Sequence, residues 1–188
     1  MTAQEAFELL KEGNARFVAN QLEHPHISAQ RKIELKNGQE PFAIVLGCAD
    51  SRVPAEIAFD QGLGDIFTIR VAGNIANTES IASIEYAVAH LDTRLIVVLG
   101  HESCGAVGAA IAGGDNGHNL NMLLAHITPA ISSSEGSSME DIVKNNARLN
   151  AQHMIDRSPI LQTAIEKDGV EVKCAYYHFE TGEVEYFD

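Results

Sequence analysis

Two uninterrupted apolar runs, residues 42–47 and 95–100, stand out from a chain whose other hydrophobic positions are spaced. Runs of this length that close on a glycine read as strands of a parallel sheet covered on both faces. A shorter strand is expected over residues 65–70, after the turn-forming Gln61, Gly62 and Gly64. Val170, Val172, Cys174 and Tyr176 alternate with more polar neighbours, which marks another strand with Cys174 facing the core. Thr181 and Gly182 then turn the chain into a last short edge strand.

Between the strands the spacing is helical. Thr2 and Glu5 have capping-box spacing, and Phe7, Leu10 and Phe17 follow, so residues 3–20 read as an amphipathic helix. A short helix is expected over 28–37. Ile81, Ile84, Ala87, Val88 and Leu91 define one face of a helix over 78–91. The small residues 105–110 suit a helix lying close on the sheet, and further helices are read over 119–131, 139–156 and 159–167. Residues 113–117 and 132–138 are polar enough for loops, the second a mobile one. This order specifies one α/β domain over residues 1–188. Its central, mainly parallel β-sheet is flanked by helices, with an N-terminal helical arm over 1–37. A polar stretch, 21–40, separates the arm's first helix from the first strand. The arm either folds back on its own sheet or lies across a partner subunit.

Composition narrows the setting. A chain of 188 residues, 45% hydrophobic and 21% charged, is long enough for a substantial core. Its formal charge of −13 disfavours nucleic acid and anionic membrane as partners, since both need basic patches. Three cysteines cannot all pair, so reduced thiols in the cytoplasm are expected. The first residues lack the basic and then apolar segments of a signal peptide, and no apolar stretch is long enough to span a membrane.

The candidate chemistry sits where the two apolar runs end. Cys48 follows the first, His101 follows the second, and Cys104 comes three residues later. Ligands of open α/β sheets collect beyond the carboxyl ends of the strands. Two thiolates and an imidazole gathered there are donors that zinc prefers, and three protein ligands leave a fourth position open for chemistry. Singly, a buried cysteine or histidine is an ordinary core residue; two runs delivering ligands at the same end are a stronger signal. Asp50 and Arg52 add a carboxylate and a guanidinium just past Cys48. Asp50 either accepts a hydrogen bond from zinc-bound hydroxide or ligates the zinc itself and expels the water; Arg52 holds it ionised and oriented.

Cys48-Ala49-Asp50-Ser51-Arg52-Val53 followed by His101-Glu102-Ser103-Cys104-Gly105 resembles the paired signature of the β-class carbonic anhydrases. The resemblance continues through Phe59–Asp65, Arg70–Asn74 and Ser83–Val88, and is strong over about residues 39–112. It implies a zinc enzyme, a carbonate dehydratase, that hydrates carbon dioxide reversibly to bicarbonate and a proton by attack of zinc-bound hydroxide. Cys48, His101 and Cys104 match the metal ligands, and Asp50 and Arg52 the catalytic dyad. Gln39, Phe67, Ala72, Tyr86 and Gly105 match the substrate pocket, whose aromatic pair comes partly from a neighbouring subunit. A valine in some members stands where this chain has Ala72. The resemblance further implies a dimer or a multiple of dimers, in which N-terminal helices clasp the partner. Some members bind bicarbonate at a second site that uses a tryptophan, and this chain has none. Two other functions fit the same residues: hydrolysis of carbonyl sulfide or carbon disulfide on the same zinc, and a non-catalytic zinc-binding regulatory protein. The intact Asp50–Arg52 pair weighs against the latter.

Overall fold

The computed structural model describes residues 1–134 and 136–187. Five strands form one sheet: β1 Ala43–Gly47, β2 Ile66–Arg70, β3 Leu95–His101, β4 Glu171–Tyr177 and β5 Val184–Phe187, in the order β2-β1-β3-β4-β5. The first three pairings are parallel, and β5 closes the far edge antiparallel to β4. The nine helices among the described residues are α1 Ala3–Val18, α2 Ala29–Glu34, α3 Ala55–Ala58, α4 Thr78–Leu91, α5 Gly105–Ala112, α6 His118–Ala125, α7 Thr128–Ser132, α8 Met139–Arg157 and α9 Pro159–Lys167. The architecture is the α/β one expected: a mainly parallel sheet with helices on both faces.

Strand side chains alternate between faces, and the core divides along that alternation. Ala43, Val45, Leu95, Val97 and Leu99 point to one face, against Ala3, Ala6 and Leu10 of α1 and Ala55 and Ala58 of α3. Ile44, Leu46, Ile96, Val98 and Cys174 point to the other, against α4, α8 and α9. All of β1 and β3 is buried, which is why their sequences are apolar without alternation.

The arm divides in two. α1, capped by the expected Thr2–Glu5 box, lies on its own sheet, with Leu10 fully buried. At Gly13 the helix passes so close to α3 that a Cβ would stand 1.8 Å from the Phe59 carbonyl oxygen. The neighbouring Asn14 donates to the carbonyls of Ala58 and Gly182 and accepts from the Val184 amide, joining α1 to both α3 and β5. α2 has no buried residue, and its Ile33 is 66% exposed.

Three local readings change. The single helix expected over 119–131 is two, α6 and α7. Pro129 sits in the first turn of α7, where a missing N–H costs nothing but disfavours a continuous helix from the preceding residues. Two short elements were not anticipated: α3, and a 3-10 turn over Ala72–Asn74. Both are too short for any periodicity to register. Of the polar loop expected over 132–138, Ser132 ends α7 and residue 135 lies outside the described residues.

Candidate metal centre

Parallel register brings the ends of β1 and β3 level: Gly47 stands beside Leu99, and His101 is the last paired residue of β3, opposite Tyr177. Cys48 leaves β1 at that edge. The chain then turns through Ser103, at a left-handed φ of 50°, so that Cys104 becomes the N-cap residue of α5. The Sγ atoms of Cys48 and Cys104 and a ring nitrogen of His101 all lie within 4.8 Å of one another. All three residues are buried, Cys104 and His101 completely.

The donor set fits a metal ion on two observations. His101 Nδ1 is 2.8 Å from the Glu102 carbonyl oxygen, which can only accept, so Nδ1 carries the proton and Nε2 keeps its lone pair. Nε2 is buried and has no hydrogen-bond partner, an expensive state unless a cation takes that lone pair. The thiols tell the same story. A hydrogen bond from Cys104 holds the Cys48 thiol far below its ordinary value against the opposing effect of burial. The same bond, with burial, pushes Cys104 up. The pair readily sheds one proton and holds the second, which a bound cation would displace.

Asp50 sits beside the cluster, with Oδ2 3.9 Å from His101 Nε2. Its carboxylate takes three bonds from Arg52: the backbone amide to Oδ1 (2.9 Å), Nε to Oδ1 (2.9 Å) and Nη2 to Oδ2 (2.7 Å). These bonds hold the carboxyl far below the usual carboxylate range, against partial burial. Arg52 is itself fixed from below, its guanidinium 4.2 Å from the centre of the Phe179 ring. Of the two positions expected for Asp50, the structure has it on Arg52 rather than among the ligand atoms.

The residues matched to a substrate pocket fall into two groups. Gly105 opens α5 next to Cys104, and no atom lies within 4 Å of where its Cβ would stand, so the space there is open. Ala72 is half-buried at the head of the 3-10 turn. Gln39, Phe67 and Tyr86 are elsewhere. Gln39 precedes β1 at the end away from the ligands, roughly 15 Å along the strand. With Tyr86 it lines an open groove of about 550 Å³ that also includes Lys32, Leu35, Leu63 and Leu91. Phe67, on edge strand β2, has its ring 6.2 Å from that of Tyr86. Within one chain these three do not meet the ligand cluster.

Sequence reasoning missed several supports. Arg70 donates through Nε to the Cys48 carbonyl (3.0 Å) and through Nη2 to that of Asp50, pinning the turn that carries both. The Gly73 amide donates to Cys48 Sγ at 3.3 Å. Phe179 holds Arg52, and its own amide is held by Glu102 Oε2 at 2.8 Å. Arg70 and Gly73 lay inside a motif already noted; Phe179 had no local signal.

A family model described as carbonic anhydrase matches residues 43–184. Carbonic anhydrase 2 of Mycobacterium tuberculosis is 55% identical over 112 residues, covering 60% of this chain and 54% of that protein. The Mycolicibacterium smegmatis carbonic anhydrase is 49% identical over 130 residues, 67% of this chain and 63% of that one. The chain thus aligns with little more than half the length of these relatives. A carbonic anhydrase of Pseudomonas aeruginosa, 30% identical, aligns over 82% of this chain and 76% of its own. Among solved structures, a tetrameric β-carbonic anhydrase of the ascomycete Sordaria macrospora superposes with a TM-score of 0.76 at 26% identity, covering 98% of this chain and 97% of that one. One from Aspergillus fumigatus gives 0.74 at 27% identity, covering 97% and 90%. The chain belongs to the β-class carbonic anhydrase family.

Proposed function

We propose that the chain is a zinc-dependent carbonic anhydrase, converting carbon dioxide and water reversibly to bicarbonate and a proton. The observation that carries this reading is the buried Cys48–His101–Cys104 cluster with an ionised carboxylate held at its edge. Zinc held by these three residues would supply an acidified water near neutral pH. Asp50 is ionised throughout the working range, so its Oδ2 can only accept a hydrogen bond. At that edge it would accept a hydrogen bond from a nucleophile that still has a proton to give and so orient it toward the substrate. Arg52 keeps Asp50 from swinging onto the ligand cluster, because doing so would break two charged bonds. Gly105 is exposed beside the cluster, so a small molecule can approach from that side.

Gln39, Phe67 and Tyr86 belong in this reading to the pocket of a neighbouring copy, which makes a dimer, or a multiple of dimers, the working unit. The tetramer named for the Sordaria relative supports self-association. Three buried thiols outside any disulfide suit a reducing compartment, the cytoplasm. No helix among the described residues is long and apolar enough to cross a membrane. The test is stopped-flow hydration of carbon dioxide beside hydrolysis of carbonyl sulfide, on protein whose zinc content is measured. Rapid carbon dioxide turnover is expected; turnover of carbonyl sulfide alone would replace this substrate assignment, and no turnover by zinc-loaded protein would overturn the enzyme reading.

A further inference from the structure

The buried face of α8 is apolar at Ile142, Val143, Ala147, Ala151 and Met154, yet it carries two asparagines, Asn146 and Asn150, at 0% and 4% exposure. A buried amide left without partners is costly. Their partners lie in one segment of chain. Asn146 Nδ2 donates to the Gly73 carbonyl at 2.8 Å. Asn150 Oδ1 accepts from the Ala76 amide at 2.7 Å. Asn150 Nδ2 in turn donates to Asn146 Oδ1 (3.0 Å) and to the Asn146 carbonyl (2.8 Å), so the two amides act as one clamp.

What they clamp is the turn beneath Cys48. Gly73 and Asn74 are both left-handed, with φ of 73° and 44°. A side chain at Gly73 would meet Ile127 Cδ1 at 2.7 Å. In this conformation the Gly73 amide faces Cys48 Sγ at 3.3 Å while its carbonyl faces Asn146. A hydrogen bond to a thiolate draws charge from sulfur and lowers its donation to a metal. Two thiolates donate heavily, which works against acidifying a bound water, so such a bond offsets a cost built into the ligand set.

We propose that Asn146, with Asn150 behind it, is a positioning residue of the metal centre: it fixes the Gly73 turn so that the Gly73 amide tempers Cys48 as a ligand. This rests on the metal-binding reading above, and the experiment separates the two. The protein is loaded with cadmium-113, and scalar coupling between amide protons and the metal nucleus is measured by NMR. The wild type should show a coupling at Gly73, transmitted through Cys48 Sγ. In Asn146→Leu, close in volume but unable to donate, that coupling should fall and the cadmium resonance shift. Chelator competition should show zinc held about tenfold more weakly, because a loosened turn no longer fixes Cys48 in place and this outweighs the added donation from its sulfur. Asn150→Ala should give the same changes in milder form, whereas Met154→Ala, a core truncation on the same helix, should lower stability and leave the coupling intact.

If the wild type binds no cadmium through its thiolates, the metal reading itself fails. Cadmium bound without a Gly73 coupling, or with a coupling unchanged in both asparagine variants, overturns only this inference. If both variants fail to fold while Met154→Ala folds, the pair serves the fold and the inference fails as well.

Discussion

The two ends of strand β1 differ in completeness. At its carboxyl end, Cys48, His101 and Cys104 are buried and each is hydrogen-bonded within its own chain. Near its amino end, Gln39 and Tyr86 line an open groove, and Tyr86 is 49% exposed. The same chain thus closes a cluster of donors that could hold a metal ion and leaves the aromatic wall open. A site finished within one chain responds to substitution locally; an exposed aromatic wall needs a second surface before its residues matter.

The strongest test of that contrast is Cys48→Ser. A serine hydroxyl is a poor replacement for thiolate, so most bound zinc and nearly all activity should disappear, with zinc counted by elemental analysis. Full zinc occupancy would move the centre elsewhere. Asp50→Ala should keep zinc and lose about 10²- to 10³-fold in hydration rate, since only the acceptor is removed. Near-normal turnover would make the pair with Arg52 structural. Tyr86→Ala should leave zinc content unchanged and the stability of the single chain within about 0.5 kcal/mol. Self-association, read by light scattering, should weaken and activity fall with it; a fully active monomer would dissolve the contrast.

The smallest effect on activity concerns α1. Burial raises the Asp60 carboxyl, but Arg16 and the amides of Glu23 and His24 more than offset this, leaving it below its ordinary value. A carboxylate depressed in the folded state contributes stability above its unfolded value, about pH 3.9, and loses it as pH falls through the folded value. Asp60→Asn should therefore cost about 2 kcal/mol near neutrality. That difference, measured by denaturant unfolding, should shrink as the pH falls below about 4. A gap constant over the whole range would mean that the Arg16–Asp60 charge pair contributes nothing.

The strands and the longer helices were legible because burial on two faces, or on one stripe, writes itself directly into hydrophobic order. The Cys48–His101–Cys104 cluster was legible because glycine-terminated apolar runs announce where a parallel sheet ends. What escaped the sequence depends on contacts between distant segments: Arg70 on the Cys48 and Asp50 carbonyls, Phe179 beneath Arg52, and the α8 asparagines. An asparagine inside a helix reads as a surface residue, and only the turn packed against it reveals otherwise. The break between α6 and α7 was signalled by Pro129, which a reading of apolar spacing alone passed over.

Strand β4 places a constraint on the order in which this protein is made. Cys48, Asp50, Arg52, His101 and Cys104 emerge from the ribosome long before Glu171–Tyr177, yet β4 pairs with β3 along its whole length and Phe179 follows directly under Arg52. Until β4 docks, one edge of β3 is unpaired. Docking of β4 therefore completes both the sheet beside Cys48, His101 and Cys104 and the aromatic support under Arg52.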